Sequence, residues 1–129
     1  IVSELVGKSV VLVDDSIVRG TTSKKIIDLV RRVGAKHVYF VSTCPPIRYP
    51  CYYGIDFPDQ QELLATHHSD AGLAKALGAD AVIYQNEAML REALAPNVSP
   101  CMACINGEYP TDIKNFESYK AKRKQERVK

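Results

Sequence analysis

Apolar residues gather in short continuous runs separated by longer stretches with helical spacing. Val10-Val11-Leu12-Val13 is rich in β-branched residues and stops at Asp14-Asp15. Such a run predicts a strand buried on both faces of a parallel sheet. From Thr21 to Val33 the period changes. Ile26, Ile27, Val30 and Val33 fall on one helical face, with Lys24, Lys25, Asp28, Arg31 and Arg32 mostly on the other. Gly34 supplies the stop. His37 to Ser42 is a second β-rich run. Strand, helix and strand within about 35 residues is the length of a parallel βαβ unit.

Thr43 to Pro58 carries four prolines and predicts a long irregular connection, a kind of loop that is usually functional or anchored. Asp59-Gln60-Gln61-Glu62 has the form of a capped helix start, with Glu three residues after Asp. A helix is predicted from Ser69 to about Leu77, stopped by Gly78. A third strand follows at Ala81–Tyr84, then a helix capped by Asn86 that runs through Leu94 and ends at Pro96. The fold class expected is α/β, a Rossmann-like parallel sheet flanked by helices over residues 1–96. An irregular cysteine-containing tail is expected over 97–129, and no internal repeat is visible.

Composition narrows the class. With 129 residues, 46% hydrophobic and 25% charged, the chain suits one soluble domain or most of one. A core of that size needs no disulfide staples. The net charge of +2 and the scattered basic residues point to neither nucleic acid nor membrane. No run is long enough to span a bilayer, and no secretory leader is seen. The start at Ile1, without methionine, fits a processed chain or a fragment.

The chemistry concentrates after the first strand. In open α/β sheets ligands bind beyond the carboxyl ends of the strands. Asp14 and Asp15 stand at such an end, and Ser16, Gly20, Thr21 and Thr22 lead into the next helix. Its free N–H groups and positive dipole end favour a phosphate. Gly20 allows close backbone approach, and the hydroxyls can donate. Two carboxylates would repel the phosphate, so they call for sugar hydroxyls or magnesium instead. From residue types alone, a merely capped helix start reads equally well.

Asp14-Asp15-Ser16-Ile17-Val18-Arg19-Gly20-Thr21-Thr22 after an apolar run resembles the phosphoribosylpyrophosphate loop of the type I phosphoribosyltransferases. The version is similar to that of the glutamine phosphoribosylpyrophosphate amidotransferase family. Cys44-Pro-Pro-Ile-Arg-Tyr-Pro-Cys-Tyr-Tyr-Gly-Ile-Asp56, Glu62-Leu-Leu-Ala65, Leu77-Gly-Ala-Asp80 and Cys101-Met-Ala-Cys-Ile-Asn-Gly-Glu-Tyr-Pro-Thr111 extend the resemblance over roughly residues 8–112. It implies a cytoplasmic glycosyltransferase of purine biosynthesis, a homo-oligomer, that makes 5-phosphoribosylamine from phosphoribosylpyrophosphate and glutamine-derived ammonia. Asp14 and Asp15 would then hold ribose hydroxyls or magnesium, and Ser16 to Thr22 the 5-phosphate. Purine nucleotides are implied as inhibitors.

The family's amino-terminal glutaminase domain and closing loop have no counterpart in the chain. The expectation is a carboxyl-terminal part, with no catalytic base of its own and inactive alone. The rivals are a non-catalytic phosphoribosylpyrophosphate- or nucleotide-binding regulatory module and a metal-binding domain organised by cysteines.

Cys101-x-x-Cys104 is a common two-ligand hook; buried or redox cysteines are the plainer alternative. The resemblance implies that Cys51, Cys101 and Cys104 converge on a [4Fe-4S] cluster whose fourth thiolate lies upstream, and that Cys44 stays apart. Arg19 could meet the phosphate or face solvent, and Arg48 could hold the Pro-rich connection. His67 and His68, adjacent on a helix, receive no role. The basic run Lys120–Lys129 reads as a solvated terminus.

Overall fold

The computed structural model describes residues 1–55, 59–94 and 98–116. A short 3-10 turn at Val2–Glu4 leads into β1 (Ser9–Asp14), followed by α1 (Thr21–Arg32) and β2 (His37–Ser42). Then come α2 (Leu64–His67), α3 (Asp70–Leu77), β3 (Ala81–Tyr84), α4 (Glu87–Ala93) and α5 (Ala103–Asn106). The expected endpoints at Pro58 and Pro96, the 96/97 boundary and the basic tail lie outside the described residues. Among the described residues no helix is long and apolar enough to cross a membrane.

The strands form one parallel sheet in the order β1-β2-β3. Asp14 pairs with Ser42, and Ser42 with Tyr84, so all three strands end at one level. One face is dry. Val38 and Phe40 of β2 pack with Ile17, Ile27, Val30 and Leu77, and Val10, Leu12 and Val82 border that cluster. The other face corrects an expectation: Val11, Val13 and Ile83 are 58%, 67% and 52% exposed. Side chains alternate across a strand, and among the described residues α1 and α3 pack beside the inner face only. A continuous apolar run therefore has just one of its faces buried here.

The helix α1 buries Ser23, Ile27 and Val30, while Ile26 and Leu29 point outward. The phase is thus turned from the expected one, which had placed Ile26 inside. Two of the predicted caps form: Ser69 Oγ accepts from Gly72 N, and Asn86 Oδ1 accepts from Met89 N at 2.8 Å. The start expected at Asp59 does not. Gln60–Glu62 make one 3-10 turn, and Leu63 is extended before α2 begins. The Leu64 N–H is spent on Val18 O at 2.9 Å, and the Thr66 hydroxyl donates to Gln60 O and Leu63 O. With those groups engaged, a continuous helical ladder cannot run through residue 63.

Asp80 clasps three elements. Its Oδ2 accepts from Val38 N at 2.6 Å and from Arg31 Nη2 at 2.7 Å, and Oδ1 lies 3.6 Å from His37 Nδ1. Arg31 also donates to Gly78 O. The Val38 N–H foremost, then Arg31 and His37, hold the Asp80 carboxyl below its ordinary value against a smaller desolvation effect. A carboxylate with a depressed pKa stabilises the fold above its unfolded value, and the effect is lost as pH falls through the folded one. Asp80→Asn should therefore lower the melting temperature at neutral pH, and the gap to wild type should close below pH 3.8. Melts across that range would show it; a gap independent of pH would refute it.

Candidate functional site

The site is built where β1 gives way to α1. Asp14 Oδ1 accepts from Asp15 N at 3.0 Å, and Ser16 Oγ donates to Asp15 Oδ1 at 2.9 Å. The end of β2 steadies the same turn from outside. Thr43 N donates to Asp14 O, and the Thr43 hydroxyl donates to Asp15 O. Ile17 then dives into the core at 1% exposure. Anchored there, the chain reaches the surface at Arg19 and is buried again at Gly20.

Gly20 is the N-cap of α1 with φ 74° and ψ −3°, in the left-handed region, and no side chain caps the helix. Its carbonyl accepts the first helical bond, from Lys24 N. The first N–H groups of the helix therefore meet no capping oxygen, and the capped-start reading fails. A Cβ at residue 20 would stand 2.6 Å from a Leu64 methyl and 2.9 Å from a Leu77 methyl. The turn is pressed against the helices behind it, with Leu64 N bound to Val18 O as a second tie.

A pocket of about 160 Å³ opens over this helix start, lined by Asp14, Ser16, Val18, Arg19, Gly20, Thr21, Thr22 and Ser23. The structure thus brings together all the expected loop residues except two. Asp15 stays beside the pocket, turned toward Ser16 and Thr43, and Ile17 can contribute only through its backbone. Ser23 joins the lining without a sequence signal, since a buried serine in the first turn looks like any helical position. Arg19 lines the pocket and also donates through Nε to Glu62 Oε2 at 2.8 Å. No local pattern could have exposed that partner, which is 43 residues away.

The connection after β2 folds onto the tail: Arg48 N and Tyr49 N both donate to Cys104 O, and Tyr109 OH donates to Pro50 O. Arg48 anchors it further, donating to Ala65 O. None of the four cysteines is in a disulfide. Burial first, then Cys44, Cys51 and Cys101, push the Cys104 thiol up to about 11. Burial, then Asp15, raises the Cys44 thiol. Among the described residues no group of three His, Cys, Asp or Glu side chains is placed to hold a single metal ion. Cys51 and Cys101 do lie near enough to Cys104 to act on its thiol. One correction follows: Cys44 does not stand apart, because the loop's fold brings its start as well as its end toward Cys104. His67 Nε2 meets Gln61 O, a structural contact.

Known proteins share both sequence and geometry with this chain. It is 48% identical over 115 residues to an amidophosphoribosyltransferase of Methanocaldococcus jannaschii, covering 89% of the chain and 24% of that protein. It is 42% identical over 112 residues to the Bacillus subtilis amidophosphoribosyltransferase, covering 83% of the chain and 24% of that protein. The chain is a part-length homologue of the amidophosphoribosyltransferases. No family model matches it. The solved structure of the B. subtilis glutamine phosphoribosylpyrophosphate amidotransferase complexed with ADP and GMP superposes with a TM-score of 0.80 at 39% identity. That match covers 88% of the chain and 26% of the solved one. The chain thus spans about a quarter of the length of its amidophosphoribosyltransferase relatives, and its parallel sheet is part of their type I phosphoribosyltransferase fold.

In this fold, Gly20→Ala should destabilise by about 1–3 kcal/mol, through left-handed strain and crowding of Leu64 and Leu77. A lowered midpoint in urea would report it. Gly54 is also left-handed, at φ 118°, but a Cβ there meets nothing within 4 Å. Gly54→Ala should therefore cost less, and an equal cost at both positions would remove the packing argument.

Proposed function

We propose that this chain supplies the ribose-phosphate-binding part of an amidophosphoribosyltransferase. The observation that carries the reading is the pairing of an uncapped helix start with the Asp14 carboxylate in one pocket. The phosphate of phosphoribosylpyrophosphate lies against the N–H groups of α1, with Thr21 and Thr22 donating to it, and Ser16 as well once its hydroxyl turns from Asp15. Asp14 and Asp15 accept from the ribose hydroxyls. The two carboxylates also suit magnesium, which commonly takes one or two carboxylates plus substrate phosphates. When bound there, magnesium would offset charge on the pyrophosphate.

The reaction is displacement at carbon 1 of the ribose. Ammonia forms the new C–N bond as the C–O bond to pyrophosphate breaks, and pyrophosphate leaves with the electron pair. The nitrogen then sheds a proton to give 5-phosphoribosylamine. Ammonia is already nucleophilic, so the chain needs to position and stabilise rather than to act as a base. The glutamine-derived ammonia, a cytoplasmic setting and a homo-oligomeric state go with the same reading. So does inhibition by purine nucleotides, whose 5′-phosphate has the same chemistry as the substrate's.

Asp14→Asn combined with Asp15→Asn in the full-length enzyme should reduce magnesium-dependent phosphoribosylpyrophosphate binding and turnover by roughly a hundredfold or more. Calorimetry with steady-state assays checks this; unchanged affinity and turnover would refute the assignment.

The thiols of Cys51 and Cys101, near that of Cys104, have the donor chemistry of a [4Fe-4S] cluster. No step of the reaction is assigned to such a group, whose part would be to tie tail to loop. Iron analysis of the anaerobically purified full-length enzyme tests it. Iron that is lost on Cys101→Ser supports the cluster, and an iron-free protein dismisses it.

A further inference from the structure

We infer that Glu62 is a positioning residue for the phosphate site, acting through Arg19. The inference rests on the reading of the loop as a phosphoribosylpyrophosphate site. Arg19 Nε donates to Glu62 Oε2 at 2.8 Å, and Arg19 is also part of the pocket wall. A guanidinium held at its Nε edge still has both terminal nitrogens to offer an anion. Glu62 thus fixes the direction of a cation at the pocket.

Three contacts within residues 62–64 serve the same loop. Glu62 holds the Arg19 side chain, Leu64 N binds Val18 O, and a Leu64 methyl occupies the space beside Gly20. The Arg19 and Glu62 side chains are 46% and 54% exposed. An ion pair so open to water adds little to stability. Its consequence is orientation: a long arginine side chain loses rotamer freedom before the anion arrives. Glu62 also places a negative charge near the site, which by itself would weaken anion binding. Orientation and repulsion predict opposite signs for Glu62→Gln, so the experiment decides between them.

The measurement is calorimetric titration of the full-length enzyme with phosphoribosylpyrophosphate and magnesium. If Glu62 orients Arg19, Glu62→Gln raises the dissociation constant roughly fivefold to tenfold, the scale of about one ordinary hydrogen bond, with little change in melting temperature. In an Arg19→Leu background the same substitution adds nothing further, because the two effects are coupled. Arg19→Lys keeps the charge but not the second set of donors, and weakens binding as Glu62→Gln does. Tighter or unchanged binding in Glu62→Gln overturns the inference while leaving the phosphoribosylpyrophosphate reading intact. Equal loss in both backgrounds also overturns it, because that is a structural effect. A wild-type enzyme that does not bind phosphoribosylpyrophosphate defeats the underlying reading itself.

Discussion

At residue 20 the backbone turns left-handed with two leucine methyls standing where a side chain would begin. That close approach is the constraint on which the site depends. Ile17 pins the loop into the core on one side of the turn. Leu64 and Leu77 hold it from behind, and Val18 is bonded to Leu64 N. Between these anchors the chain reaches the helix start with no side chain to spare for capping. The orphan N–H groups that most helices satisfy locally are left without a capping side chain. Packing energy in the core thus sustains an opening that local chemistry would otherwise close.

The charges around that opening are divided rather than mixed. The helix start and Arg19 present the positive side, and Asp14 the negative, within one pocket. Asp15 is kept just outside by its bonds with Ser16 and Thr43. A ligand that is anionic at one end and rich in hydroxyls at the other satisfies both sides at once. A simple anion would satisfy one and be repelled by the other. Coulomb repulsion is stronger where solvent is partly excluded, so under the proposed reading the arrangement favours a phosphorylated sugar over free phosphate.

The segment after β2 shows how an irregular connection is made firm without regular structure. Ser42 Oγ donates to Cys44 O, Arg48 and Tyr49 share the Cys104 carbonyl, and Tyr109 reaches Pro50 O. Tyr52 stacks with Phe116 and tilts against Tyr109, both centroids 5.0 Å away. Gly107 has the Tyr49 ring 3.0 Å from where its Cβ would stand. Aromatic burial and backbone bonds hold loop and tail together with no disulfide between them.

What the sequence determined by itself was local. The β-branched run ending in Asp14-Asp15, the helical period after Thr21, the caps at Ser69 and Asn86, and the loop from Ser16 to Thr22 all express their physics within a few residues. Each was therefore legible, and so was the parallel order of strands that a helical crossover imposes. Other features required the folded chain. The Arg19–Glu62 pair, the Asp80 clasp and the nearness of Cys44 to Cys104 join residues far apart in sequence. The same holds for the failed helix start at Asp59, whose ladder was broken by a bond to Val18. The bare face of β1 differs again, because an apolar run reports how greasy a strand is and not which layers cover it. Tertiary structure decided these points because a hydrogen bond or a packed face depends on what arrives from elsewhere, and no local pattern encodes the arrival.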